Sequence, residues 1–381
     1  MKLTWGPDEA AFRAELLAFL DVHVPPEAQV GLDWGTAGQV DGELLPAWAR
    51  RWQATLFDHG WLVPGYPPDL GGRNATPLQT LVYVDELAAR GIPRSLHFPG
   101  YAIVAPSLLD YGTEQQRALA PAALRGDTVW CVGMSEPGAG SDLAGLSTKA
   151  RLDGDHFVVD GQKVWTSYAS AADMCLCYVR TNATAPKHKG ISALLVDMST
   201  AGIEVRPLRH LTGTAEFAEV FFSDVVVPRA NLLGALDDGW RVSLGSLAHE
   251  RGGMWIQGVA TCEHALRDLV GLARAQGLDG DPVTRRALAE AAQRARSLRA
   301  LGYKGFATLS QTSAAPEHSY LKLATSELSK HLFELGVRLA GPFEGRWSHS
   351  FLLSFAATIA GGTSEVQRNI IAERVLGLPR E

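Results

Sequence analysis

The spacing of hydrophobic positions changes twice along the chain. From the N-terminus to about Gly126 apolar residues recur at the period of a helical face. Phe12, Leu16, Leu17, Phe19 and Leu20 form one such stripe, and Pro25-Pro26 ends it. Leu81, Val84, Leu87 and Ala88 form another, closed near Gly91 and Pro93. Thr113 precedes a further helix that carries Glu114 in its first turn. From about Asp127 to Val227 the apolar runs become short and rich in β-formers: Met174 to Val179, Ile191 to Val196, Val220 to Val227. Asp153-Gly154 and Asp160-Gly161 read as turn pairs between such runs. Closely spaced strands of this kind point to a small barrel or sandwich. From about Pro228 long helical patterns return, sufficient for a bundle. The expected architecture is α+β and multidomain. An all-α domain spans 1–126, a β domain 127–227 and a helix bundle 228–381.

Composition agrees with folded cores of this size. The chain has 381 residues, 46% of them hydrophobic and 20% charged. The net charge is −6 and there is no Lys/Arg block, so nothing suggests a nucleic-acid surface and no nucleic-acid partner is expected. No window approaches the roughly 20 apolar residues of a membrane span. The first residues, Met1 to Asp8, lack a basic start with an apolar run behind it. Four cysteines in a chain this long do not make a disulfide framework. A reducing, cytoplasmic location is expected, where Asn74-Ala75-Thr76 carries no meaning as a glycosylation site. Cys175 and Cys177 have strand spacing and read as core rather than metal ligands, so no metal is expected.

Gly138-Ala139-Gly140 invites a nucleotide-binding reading. A dinucleotide fingerprint needs a small residue three places further on, and Leu143 stands there. On its own residues the tripeptide is a glycine-rich loop.

Two longer motifs change its meaning. Met134-Ser135-Glu136-Pro137-Gly138-Ala139-Gly140-Ser141-Asp142, taken with the stretch from Ile359 to Ile371, resembles the flavin-dependent acyl-CoA dehydrogenases. Gly60 to Pro64, Gly71-Gly72, Tyr111 to Gln116, Lys187 to Ser192 and Asp238-Gly239-Trp240 extend the resemblance over nearly the whole chain. It implies an FAD cofactor. In that family the Glu136-to-Ser141 loop lies along the flavin and the substrate side, which assigns contacts to Val132, Met134, Ser135 and Ser141. Trp165 and Ser167 match the next flavin contacts. Ser364 and Gln367 read as a capping box that opens a helix, and a helix N-terminus suits an electron-rich flavin edge or a phosphate. Thr363 and Glu365 are the implied flavin contacts there.

The chain also departs from the family pattern. Gly361 stands where many members carry a catalytic glutamate before Gly-Thr, and Ala360 replaces a bulky aromatic. An Arg-x-x-Phe-Gly segment that serves a neighbouring subunit's flavin is represented by Arg274 alone. A second glycine-rich element is reduced to Gly341-Pro342. Weak FAD retention is expected from these two changes.

The reaction implied removes a proton beside the thioester and a hydride from the next carbon. It requires a carboxylate base and hydrogen bonds to the thioester oxygen. In a minority branch of the family, with branched and long acyl substrates, that glutamate lies on a bundle helix and directly precedes an arginine. Glu250, followed by Arg251, has this position, inside a helical pattern from Trp240 to Val259. Glu250 is therefore the expected base, projecting towards space that Gly361 leaves open. Arg251 is expected to position the CoA side of the substrate or the helix, and Ser141 and Gly361 to line the substrate. The first function is an acyl-CoA dehydrogenase that passes electrons to an electron-transfer flavoprotein. It is expected as a homo-oligomer or as a heterotetramer with a paralogous subunit. The alternative is a cofactor-poor, non-catalytic partner subunit of such a hetero-oligomer. An oxidase or monooxygenase on the same fold is a third reading.

Overall fold

Helices, strands and helices follow one another in the order the hydrophobic period predicts. The computed structural model describes residues 5–29, 39–40, 43–309, 317–341 and 345–379. Among them the first segment holds α1 (Pro7–His23), α2 (Pro26–Gln29), α3 (Ala47–Asp58), α4 (Pro77–Arg90), α5 (Ala105–Tyr111), α6 (Glu114–Arg117) and α7 (Ala120–Arg125). A short ladder of β1 (Gln39–Val40) and β2 (Glu43–Leu44) precedes α3. The middle segment holds β3 (Trp130–Gly133), β4 (Lys149–Asp153), β5 (His156–Ser167), β6 (Met174–Arg180), β7 (Ile191–Asp197), β8 (Ile203–Leu208), β9 (Phe217–Pro228) and β10 (Leu232–Leu233). The last holds α8 (Gly239–Ala275), α9 (Pro282–Leu309), α10 (Glu317–Ala340), α11 (Gly345–Ala357) and α12 (Ser364–Ile370). No described helix is long and apolar enough to cross a membrane.

By packing, the chain falls into two bodies. One comprises residues 1–36, 77–93 and 251–381. Its core joins Leu81 of α4 to Val259, Ala265 and Leu269 of α8, Ala295 and Leu298 of α9, and Leu328 and Leu332 of α10. Arg299 of α9 donates to Glu263 of α8 at 2.6 Å and to Asp85 of α4 at 2.5 Å.

The other body comprises residues 37–76 and 94–250. Its sheet runs β10-β7-β6-β4-β5-β9-β8, with β3 parallel to β6. The β6 and β5 halves meet through one residue pair, Lys149 with Arg180, so the sheet folds into two layers there. Phe157, Val159, Cys175, Cys177, Leu194, Val220 and Phe222 fill the core of these layers. Asp153-Gly154 forms the β4–β5 turn, with Gly154 at φ +62°. Asp160-Gly161, expected as a second turn, is instead a bulge inside β5. Gly161 lies at φ +150°, and a Cβ there would come within 2.6 Å of Thr148 Cα. Glycine is needed because the backbone before β4 crosses at that point.

Candidate active site

The motif loop starts where β3 ends. Glu136 and Ala139 exchange backbone hydrogen bonds, each 3.0 Å, which turns the chain sharply over Pro137-Gly138. The Glu136 carboxylate then closes the base of the loop. It accepts from the Ser147 N–H (2.6 Å) and Oγ (2.8 Å), the Thr148 N–H (2.9 Å) and Lys163 Nζ (2.8 Å). Arg180 of β6 donates to the carbonyls of Ala144 and Lys187, both at 2.6 Å, and fixes the far limb. Ser141 is thereby held exposed on the loop, Ser135 and Met134 are half-buried at its start, and Val132 lies on β3 opposite Leu176.

Burial alone would raise the Glu136 carboxyl. The Lys163 ammonium and its hydrogen bond, with those from Thr148 and Ser147, outweigh burial and hold it at about 2. A depressed folded-state value adds stability above the unfolded carboxyl's range and loses it as pH falls through the folded value. Between about pH 5 and pH 2 the wild type should therefore lose a few kcal/mol that Glu136→Gln does not lose. Urea unfolding along a pH series measures this difference in slope.

Trp165 sits beside this loop. The Val164 N–H donates to Ser135 O at 2.9 Å, which ties β5 to the motif. The β5–β9 register slips between Lys163 and Thr166, and Trp165 occupies the slip at φ +59°. That conformation is costly for a bulky side chain and is retained where the surroundings over-determine it. The indole is 55% exposed and meets Phe217 edge-on, centroids 5.9 Å apart. Ser167, half-buried, pairs with Phe217 two residues on. Tyr168 follows, buried and also left-handed at φ +64°; its hydroxyl donates to Leu96 O and its N–H to Glu216 O.

Support continues beneath. Buried His97 meets the Trp130 backbone at the start of β3 through Nε2, 2.8 Å from the carbonyl oxygen and 3.0 Å from the amide nitrogen, and faces the Tyr168 ring edge-on at 5.6 Å. Burial lowers its pKa to about 4, so the imidazole is neutral at physiological pH. A planar aromatic cofactor needs a flat apolar wall and an approachable backbone. The exposed Trp165 ring gives the first, and Gly138 and Gly140, where a Cβ would meet nothing within 4 Å, give the second. These residues fit a flavin.

The C-terminal motif lies in the other body. Gly361 and Gly362 are both left-handed, at φ +66° and +97°. Gln367 Nε2 donates to Gly361 O (3.1 Å) and Lys322 Nζ to Gly362 O (2.6 Å). The cap of α12 is Thr363, whose hydroxyl accepts the Val366 N–H at 3.2 Å, rather than Ser364. The two glycines turn the chain one residue earlier, which leaves the Ser364 hydroxyl to donate to Glu327 at 2.7 Å. Glu365 is exposed in the first turn of α12. Arg274 lies in the last turn of α8 and Gly341 follows α10 at φ +96°; Pro342 lies outside the described residues. Glu250 and Arg251 are on α8, but the side chains of 247–257 lie outside the described residues.

Sequence reading missed Lys163, Glu136 as a clamp, His97, Tyr168 and Glu216. Lys163 had a usable signal: a lysine at a core-facing strand position calls for an internal carboxylate. Glu216 had none. It is buried, its pKa is raised to about 7 by burial, and it lies 4.0 Å from His210 Nε2.

Comparison with known proteins follows the same three segments. Family profiles described as the acyl-CoA dehydrogenase N-terminal, middle and C-terminal domains match residues 6–127, 131–225 and 237–376. The chain is 38% identical over 344 residues to acyl-CoA dehydrogenase IpdE1 of Mycobacterium tuberculosis, covering 87% of this chain and 88% of that one. Among solved structures, the Tcur3481-Tcur3483 steroid ACAD matches with a TM-score of 0.85 at 30% identity over 100% of both chains. The ChsE4-ChsE5 complex from Mycobacterium tuberculosis matches with a TM-score of 0.82, also at 30% identity and over 100% of both chains.

Proposed function

We propose that this chain, which belongs to the acyl-CoA dehydrogenase family, is an FAD-dependent enzyme that converts a bulky acyl-CoA thioester to its 2-enoyl-CoA. The observation that carries the flavin reading is Trp165: a large aromatic held exposed in a strained bulge, hydrogen-bonded through its neighbour to Ser135. When bound, FAD supplies the hydride acceptor. Val132, Met134, Ser135, Ser141, Trp165, Ser167, Thr363 and Glu365 are its proposed contacts. Glu250 takes the proton from the carbon beside the thioester. Arg251 steadies the CoA end of the substrate or the helix, and Ser141 and Gly361 line the substrate. An electron-transfer flavoprotein is the proposed electron acceptor.

Substrate shape follows from the small residues Ala360 and Gly361, which replace larger ones in the family pattern. The solved relative named as a steroid ACAD supports a ring-bearing acyl group. Ala360→Tyr is expected to lower turnover of ring-bearing acyl-CoAs at least ~10-fold more than that of short straight ones, the discrimination of a filled apolar pocket. Equal losses across the panel would remove the shape argument.

A second reading has its own support. Gly361, the changed Arg274 segment and the shortened Gly341 element fit a cofactor-poor subunit paired with an active paralogue. Two of the solved relatives carry paired names. Titrating the purified chain with FAD separates the two: saturable uptake with a flavin spectrum favours the enzyme, and no uptake favours the partner.

A further inference from the structure

Lys163 and Glu136 are sealed from solvent, with side chains 0% and 3% exposed. Such a pair is an expensive way to stabilise a fold. Apolar side chains of similar volume commonly do as well or better, so stability alone does not account for it. Its position does. Glu136 directly follows Ser135, and Lys163 stands two residues before Trp165. Lys163 Nζ bonds both the Glu136 carboxylate at 2.8 Å and Met134 O at 3.2 Å, while the Val164 N–H holds Ser135 O at 2.9 Å. Residues 134, 135 and 136 are thus each tied to Lys163 or Val164, the two residues just before Trp165. The same carboxylate holds Ser147 and Thr148, which fixes the return limb of the loop.

We propose that Lys163 and Glu136 are positioning residues that set the spacing and tilt between the Ser135 backbone and the Trp165 ring, and so the shape of the flavin wall. Resting on the flavin reading above, this assigns the pair a task that a purely structural ion pair lacks. Binding constellations tolerate displacements of only about 0.5 Å, so a lock two residues from the ring is well placed.

The test is FAD titration of the apoprotein, read by flavin absorption and by reduction potential, with unfolding midpoints alongside. The double variant Glu136→Leu/Lys163→Met removes both charges and leaves neither unpaired. It should stay folded, bind FAD at least ~10-fold more weakly, and show an altered visible band and potential. Ser147→Ala removes one hydrogen bond to the Glu136 carboxylate from an exposed residue. It should weaken FAD by ~2–10-fold, the range for one such bond. A folded double variant with wild-type FAD affinity, band and potential overturns the proposal. If the double variant fails to fold, an unchanged Ser147→Ala overturns it instead. A wild-type chain that takes up no FAD overturns the underlying flavin reading first, which keeps the two failures apart.

Discussion

Glu250→Gln should leave FAD and acyl-CoA bound and slow flavin reduction by at least ~10²-fold, the lower range for loss of a general base. The amide keeps the size of the side chain and cannot accept a proton. A surface ion pair between Glu250 and a nearby arginine predicts otherwise: a stability change within ~1 kcal/mol and near-normal turnover. Anaerobic stopped-flow of the flavin band tells the two apart. Adding Gly361→Glu to Glu250→Gln should return part of the activity by placing a carboxylate where most relatives have it. The return will be limited, because Gly361 lies at φ +66° and a side chain there carries a strain of roughly 1–2 kcal/mol.

Lys163→Met alone should strongly destabilise the body that carries the β-sheet. It strands the Glu136 carboxylate in the core with its remaining N–H and O–H donors. Breaking a buried pair from one side costs about 3–5 kcal/mol. Urea unfolding should show a loss of that size, and the Glu136→Leu/Lys163→Met protein should recover part of it, since no carboxylate is stranded but the Ser147 and Thr148 N–H groups lose their acceptor. A single variant as stable as wild type would mean the pair is not sealed as described.

What was legible depended on how local the signal was. The stripe of Phe12, Leu16 and Leu20, the Thr113 cap and the runs that became β6, β7 and β9 are short-range patterns, and each forms the element it predicts. Gly161 misled because φ > 0 serves a bulge as well as a turn, and only the crossing of Thr148 decides between them. Thr363 and Ser364 are both good caps by type. The left-handed Gly361-Gly362 pair selects the first. In and beside the motif loop the sequence marked Ser135, Ser141 and Trp165 through a family pattern. It did not reveal that Glu136 and Lys163 clamp them, because that depends on a contact across 27 residues. His97 and Tyr168 were hidden for the same reason: their partners, Trp130 and Leu96, lie 33 and 72 residues away.

The central claim is that this chain binds FAD and uses it to desaturate an acyl-CoA. Its most direct test is anaerobic mixing of the FAD-loaded protein with straight, branched and ring-bearing acyl-CoAs, following flavin absorbance and identifying the thioester formed. The proposed function predicts bleaching of the flavin and appearance of the 2-enoyl-CoA, fastest with ring-bearing substrates. An FAD-loaded protein whose flavin stays oxidised with every thioester would contradict it.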